Sequence, residues 1–105
     1  MSSARTDLVF SALADPNRRQ IVERLAARGP ATATGLARQL GVSRQGAAKH
    51  LTSLAEAGIV SATREGREVH YELRGEGLDP GTAWLGKVGT QWDRRLASLK
   101  RHLDD

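Results

Sequence analysis

The chain predicts a mainly α-helical domain carrying one small β-hairpin, and three observations lead there. Up to residue 58 the apolar residues recur at helical spacing in four short runs, and the last three are bracketed by capping residues or glycines. From Ile59 to Leu73 the period changes to that of strands on either side of Arg64-Glu65-Gly66-Arg67. From about residue 81 to 103 one apolar stripe returns in steps of three and four.

The first run, residues 6 to 14, places Leu8, Val9, Ala12 and Leu13 on one helical face. The second has clear punctuation. Asp15 suits an N-cap, Pro16 the first helical position, and Gly29-Pro30 the stop, with Ile21, Val22 and Leu25 as the buried stripe. Thr32 can cap a short third helix that turns Leu36, Ala37 and Leu40 inward, and Gly41 permits a sharp exit. Val42 is placed to plug the turn into the core. Ser43 then caps a fourth helix with Ala47, Leu51 and Leu54 inward, ended by Gly58. Gly46 inside it costs about 1 kcal/mol against Ala, so it either admits a close backbone or is merely tolerated. The hairpin follows, with Gly66 supplying the turn, and then a Gly/Pro-punctuated connection over residues 76 to 81. In the last helix Leu85, Val88, Trp92, Leu96, Leu99 and Leu103 form a heptad-like seam.

A length of 105 residues fits one domain, residues 1–105, with a modest core. No run of 18 apolar residues suggests a membrane span, and MSSARTDLVF does not read as a signal peptide, so the expected location is cytoplasmic and no membrane partner is expected. With no cysteine, disulfides and thiolate metal sites are excluded. The net charge is +4, and its distribution matters more than its size. Through Gly75 eleven Lys/Arg face seven Asp/Glu, whereas the remainder balances five against five. Between Arg24 and Ala55 there is no acid, yet Arg24, Arg28, Arg38, Arg44 and Lys49 are present. A tight helix pair with a one-sided positive field suits the major groove of DNA, because neutralising phosphates needs clustered cations.

Four helices, a hairpin and a final helix, with a short turn between the third and fourth, make the order of a winged helix-turn-helix. The helix-turn-helix spans about 32–58, the two-stranded wing about 59–73, and the long C-terminal helix about 81–103. Over roughly residues 5 to 74 the chain resembles the ArsR-type winged-helix repressors. The resemblance rests on Asp-Pro-x-Arg before the second helix, Leu-Gly-Val-Ser at the turn, Lys-His-Leu in the fourth helix, Ala-Gly-Ile-Val after it, and a Gly-centred wing. The tail QWDRRLASLKRHLDD is similar to the last helix of the family's cysteine-free members. The resemblance implies a homodimer that binds a palindromic operator on double-stranded DNA and represses transcription.

With the inward positions of the fourth helix assigned, Arg44, Gln45, Ala48, Lys49 and Thr52 fall on its outer face. Arg44 and Gln45, in the first turn, are the leading base-reading candidates, with Ala48 beside them. Ser43, Lys49 and Thr52 are candidates for phosphate contacts. His50 either touches a phosphate, as the resemblance favours, or packs against a neighbouring helix. Arg64 and Arg67, flanking Gly66, are placed to enter the minor groove or clamp its phosphates. Arg18 and Arg19 either meet the DNA backbone or pair with Glu23.

The terminal seam has two readings. It covers the protomer's own core, or, with Leu8, Val9 and Leu13 of the first helix, it builds a two-fold dimer interface; the length of the seam and the small core favour the second. No cofactor or metal site is expected. TGLARQL stands where the family's thiolate pair would be, and the last helix offers only Asp93, His102, Asp104 and Asp105, while His50 and His70 lie on distant elements. The motifs of nucleophilic, phosphate-loop and zinc-hydrolase chemistry are absent, so an enzyme is not expected. Two other functions stay open: a protein-interaction module on the same fold, and a sensor admitting a small molecule near Trp84 and Trp92.

Overall fold

The computed structural model describes residues 3–104. Helix α1 (Ser3–Leu13) turns at Ala14-Asp15 into α2 (Pro16–Arg28). Asp15 is the N-cap of α2, its carboxylate accepting from the N–H groups of Asn17 at 2.7 Å and Arg18 at 3.4 Å. Pro16 occupies the position where a missing N–H costs nothing. Gly29, at φ 84°, closes α2 by donating its N–H to Leu25 O.

The helix pair follows the same logic. Thr32 Oγ1 accepts from Gly35 N at 3.1 Å and starts α3 (Ala33–Leu40). Gly41, at φ 70°, ends it, and the N–H groups of Gly41 and Val42 both reach Ala37 O. Ser43 Oγ then accepts from Gly46 N at 2.9 Å to open α4 (Arg44–Glu56). A Cβ on Gly46 would lie 3.1 Å from that same Ser43 oxygen, so the glycine makes room for the cap rather than for another backbone. Val42 is half-buried in the turn.

A third strand is present where a two-stranded wing was expected. β2 (Val60–Glu65) and β3 (Glu68–Leu73) form the hairpin, with Gly66 at φ 63° in its turn, and β1 (Ala31–Thr32) pairs with the free edge of β3. The register sets Ala31 opposite Tyr71 and Thr32 opposite His70. Two residues after Pro30, the second of them the cap of α3, carry no period of their own, which is why their pairing leaves no trace in the sequence. The sheet ties the base of the wing to the start of α3.

Ile21, Leu25, Leu36, Leu51, Leu54, Ile59 and Val60 form a continuous core with Val9 and Ala12 of α1. Here the expectation for α1 is corrected. Val9 is only 1% exposed and belongs to the protomer's own core, as does the face it shares with Thr6 and Ala12. Leu13 is half-buried and packs against that core, so of the three α1 residues expected at a partner surface only Leu8 is open.

The connection after the wing is more regular than its Gly/Pro content suggests. Residues Gly75–Leu78 form a 3-10 turn, and α5 (Asp79–Asp104) begins two residues before the expected start, with Pro80 in its first turn. Gly77 sits directly on the Gly58 carbonyl, and Gly81 lets α5 approach Val9 and Phe10 of α1. Phe10 also meets Trp84 edge to face, ring centres 5.5 Å apart. Beyond this anchor α5 stands free, and every side chain from 82 to 103 is exposed.

Candidate nucleic-acid interface

The first turn of α4 is fixed by its Ser43 cap and leaves Arg44 and Gln45 exposed, with Lys49 one turn later. Ala48 is half-buried between them and the wing. Thr52 Oγ1 donates back to Ala48 O at 3.0 Å, so its hydroxyl proton is already used within the helix. Ser43 differs: its oxygen accepts from Gly46 N, which leaves the hydroxyl proton to donate outward.

A cleft of about 280 Å³ lies between α4 and the wing. Arg44, Gln45 and Ala48 form one wall; Arg67, Glu68, Val69 and Tyr71 form the other; Thr32, Ala33 and Thr34 at the start of α3 close its end. The structure thus brings the three base-reading candidates and one wing arginine to a single concavity. Tyr71, Val69 and Thr34 were not singled out in the sequence. Alternation along β3 puts Val69 and Tyr71 on one face, a signal that was available. Thr34 had no such signal, because only β1 brings the start of α3 to the wing.

Arg64 and Gly66 do not line this cleft. Arg64 pairs in register with Val69, while the hairpin turn carries Gly66 to the tip. On the other face Glu65 stands directly opposite Glu68, a like-charge pair that destabilises a ladder. His70 Nε2 lies 3.4 Å from Glu65 and 3.6 Å from Glu68, and its protonated form would bridge them.

The α1–α2 corner gives His50, Arg18 and Arg19 partners within the protomer. His50 is half-buried, and its Nδ1 accepts from Arg18 Nε at 3.4 Å. Arg18 Nη1 also reaches the carbonyls of Ser11 and Ala12, each at 3.5 Å, and Arg19 Nη1 donates to Leu13 O at 2.6 Å. Both guanidiniums therefore cap the carbonyl end of α1, where cations are favoured. Burial at this corner pushes the Asp15 carboxyl up, but the N–H groups of Asn17 and Arg18 and the nearby His50 and Arg18 outweigh it. The net effect holds Asp15 below its ordinary 3.8.

On α5 the seam is open. Leu85, Val88, Trp92, Leu96, Leu99 and Leu103 are 41 to 85% exposed, as are Leu8 on α1 at 46% and Trp84 at 49%. Contiguous apolar exposure of this kind marks an association surface. Among the described residues no group of three or more His, Asp or Glu is placed to hold a metal ion; Asp105 and the side chain of Asp104 lie outside them. Among the described residues no helix is long and apolar enough to cross a membrane.

A capped helix pair whose second member opens on a cleft walled by a hairpin defines the class: a winged helix-turn-helix DNA-binding protein. Residues 13–61 match the model of a family described as a helix-turn-helix domain. The chain is 38% identical over 105 residues to the HTH-type transcriptional regulator Rv2034 of Mycobacterium tuberculosis, covering 99% of itself and 94% of that protein. It is 40% identical to the solved ArsR-like transcriptional regulator from Rhodococcus sp. RHA1, with TM-score 0.78 and 95% and 93% of the two chains covered. It is also similar to the homodimeric winged helix-turn-helix DNA-binding domain of Mb0332 from Mycobacterium bovis, a possible ArsR-family regulator. There the identity is 29%, the TM-score 0.67 and the coverage 87% and 86%. The chain belongs to the ArsR-like family of winged helix-turn-helix transcriptional regulators.

Proposed function

We propose that the chain acts as a homodimeric, sequence-specific repressor that binds a palindromic operator. The observation that carries this reading is the cleft, which gathers Arg44, Gln45 and Ala48 opposite Arg67. In the proposed complex the first turn of α4 enters the major groove, Arg44 and Gln45 meeting base edges and Ala48 a thymine methyl. Ser43, Lys49 and the outer nitrogen of His50 hold phosphates. Arg64 and Arg67 carry the footprint into the adjacent minor groove or its backbone. Thr52, Arg18 and Arg19 already bond within the protomer, which weighs against a direct phosphate contact for each.

A second copy is the proposed partner of the α5 seam, with Leu8 of α1 at its edge. A 26-residue helix holding three glycines and an uncovered apolar stripe is not stable alone in water. The homodimeric state of the Mb0332 domain supports a dimer here. Two readers about one DNA turn, roughly 34 Å, apart give half-site spacing and affinity together. Repression follows from occupancy, since a bound dimer denies the same DNA to polymerase.

The test is selection of bound sequences from random DNA by the purified chain, with its mass in solution measured alongside. A two-fold symmetric consensus and a dimer mass are expected; a monomer without a consensus would overturn the reading. On the selected operator Arg44→Ala should weaken binding by roughly 1–3 kcal/mol and relax preference at one position per half-site. Equal losses on operator and random DNA in a mobility-shift titration would reassign Arg44 to the phosphates.

A further inference from the structure

We propose that Arg18 is a positioning residue for DNA binding, acting through His50 by fixing the orientation and tautomer of its ring. The proposal rests on the DNA reading above. Arg18 touches no candidate base or phosphate contact except His50, and it reaches that residue across 32 positions of sequence. Its Nε–H is a donor without acceptor capacity, so the His50 nitrogen facing it, Nδ1, must carry the lone pair. In a neutral imidazole the proton then resides on Nε2. Nε2–H is a donor of the kind a phosphate oxygen accepts, and in the proposed complex it is the ring nitrogen left for that contact.

The same guanidinium is itself held. Nη1 reaches the carbonyls of Ser11 and Ala12 at the end of α1, so the fork is anchored on one helix while it orients a side chain on another. Asp15, one residue before α2, lies near enough to both Arg18 and His50 for each to lower its pKa, which supports the same close grouping. Ala12 is in the core and Phe10, two residues earlier, carries the edge of Trp84 on α5. The anchor of His50 therefore stands on the helix that also seats the long terminal helix.

The test combines DNA binding with a readout on the ring. Operator affinity is measured for Arg18→Ala, Arg18→Lys, His50→Gln and the Arg18→Ala/His50→Gln double variant, each checked for folding by thermal melting. Arg18→Lys keeps a cation at the α1 carbonyls but lacks the Nε–H, so it reports on the link where Arg18→Ala destabilises the corner. Both Arg18 variants are expected to bind about tenfold more weakly, and the double variant to bind within twofold of His50→Gln alone. Losses that multiply, with a salt slope reduced by about 0.9, would make Arg18 a direct phosphate contact and overturn the proposal. Full affinity in a folded Arg18→Lys chain would overturn it too. In parallel, nitrogen-15 spectra of the imidazoles in the DNA-free protein should show His50 as a pure Nε2–H tautomer that becomes mixed in Arg18→Lys. Unchanged His50 signals would break the link whatever the DNA result, whereas a wild-type chain that binds no DNA would sink the operator reading while leaving the ring signature to be read by itself.

Discussion

Ser43 and Asp15 each hold a helix start with one side-chain oxygen, and in both cases the consequence reaches the surface proposed to face DNA. The Ser43 cap fixes the first turn of α4, so Arg44 and Gln45 leave the helix in one direction. Asp15 fixes the first turn of α2, which carries Arg18 toward His50. Because the folded pKa of Asp15 is lowered, the stabilisation it brings is fully present above the ordinary value of 3.8 and is lost as pH falls through the lower folded value. Thermal melts between pH 5 and pH 2 should therefore show a steeper acid decline in the wild type than in Asp15→Ala, whose curve starts lower and converges with it at the acid end. Parallel curves would remove Asp15 from the account. Both caps were legible because capping is a local matter of residue type at a fixed offset. The use made of Arg18 was not, since a guanidinium on a long flexible stem selects its acceptors only after α1, α2 and α4 have met.

At the scale of elements, the wing shows how far period and turn chemistry carry. Alternation gave the two long strands, and Gly66 gave the turn, which its positive φ requires. β1 escaped because a two-residue strand takes its identity from the edge it completes rather than from its own residues. Its effect is to seat the wing against the start of α3, so that Arg67 faces α4 across a cleft instead of swinging on a free hairpin. The two wing arginines should then behave differently. Arg67→Ala is expected to cost affinity and to change base preference near the cleft, whereas Arg64→Ala should weaken operator and random DNA alike. Each should lower the slope of log affinity against log salt by about 0.9 if it holds one phosphate. Binding titrations at several salt concentrations decide this; an unchanged slope in both variants would leave the wing off the DNA.

For the molecule as a whole, the division runs between a compact reading head and a helix that projects beyond it, giving extents of 68 × 29 × 19 Å. The head's core is complete without α5 beyond Trp84, so disruption of the seam should leave the head folded. Leu96→Glu is expected to give a monomer by sedimentation equilibrium, to retain the melting of the head, and to lose operator binding at concentrations where the wild type is saturated. A variant that remains dimeric would place the interface elsewhere. The seam was plain in the heptad steps, but which α1 residues accompany it was not. Adjacent Leu8 and Val9 both read as apolar, and only the packing of α1 onto α2 and α4 turned Val9 inward.

Pairing through that projecting helix, as proposed, would also govern how the regulator responds to its own abundance. If a reader must first find its copy, the number of competent readers rises as the square of the chain's concentration while most chains are unpaired. Operator occupancy then climbs more steeply than the supply of protein, and small changes in synthesis or turnover become a threshold in gene output. The hydrophobic faces of α5 would thus act as a counter of molecules, set by the pairing constant of one helix.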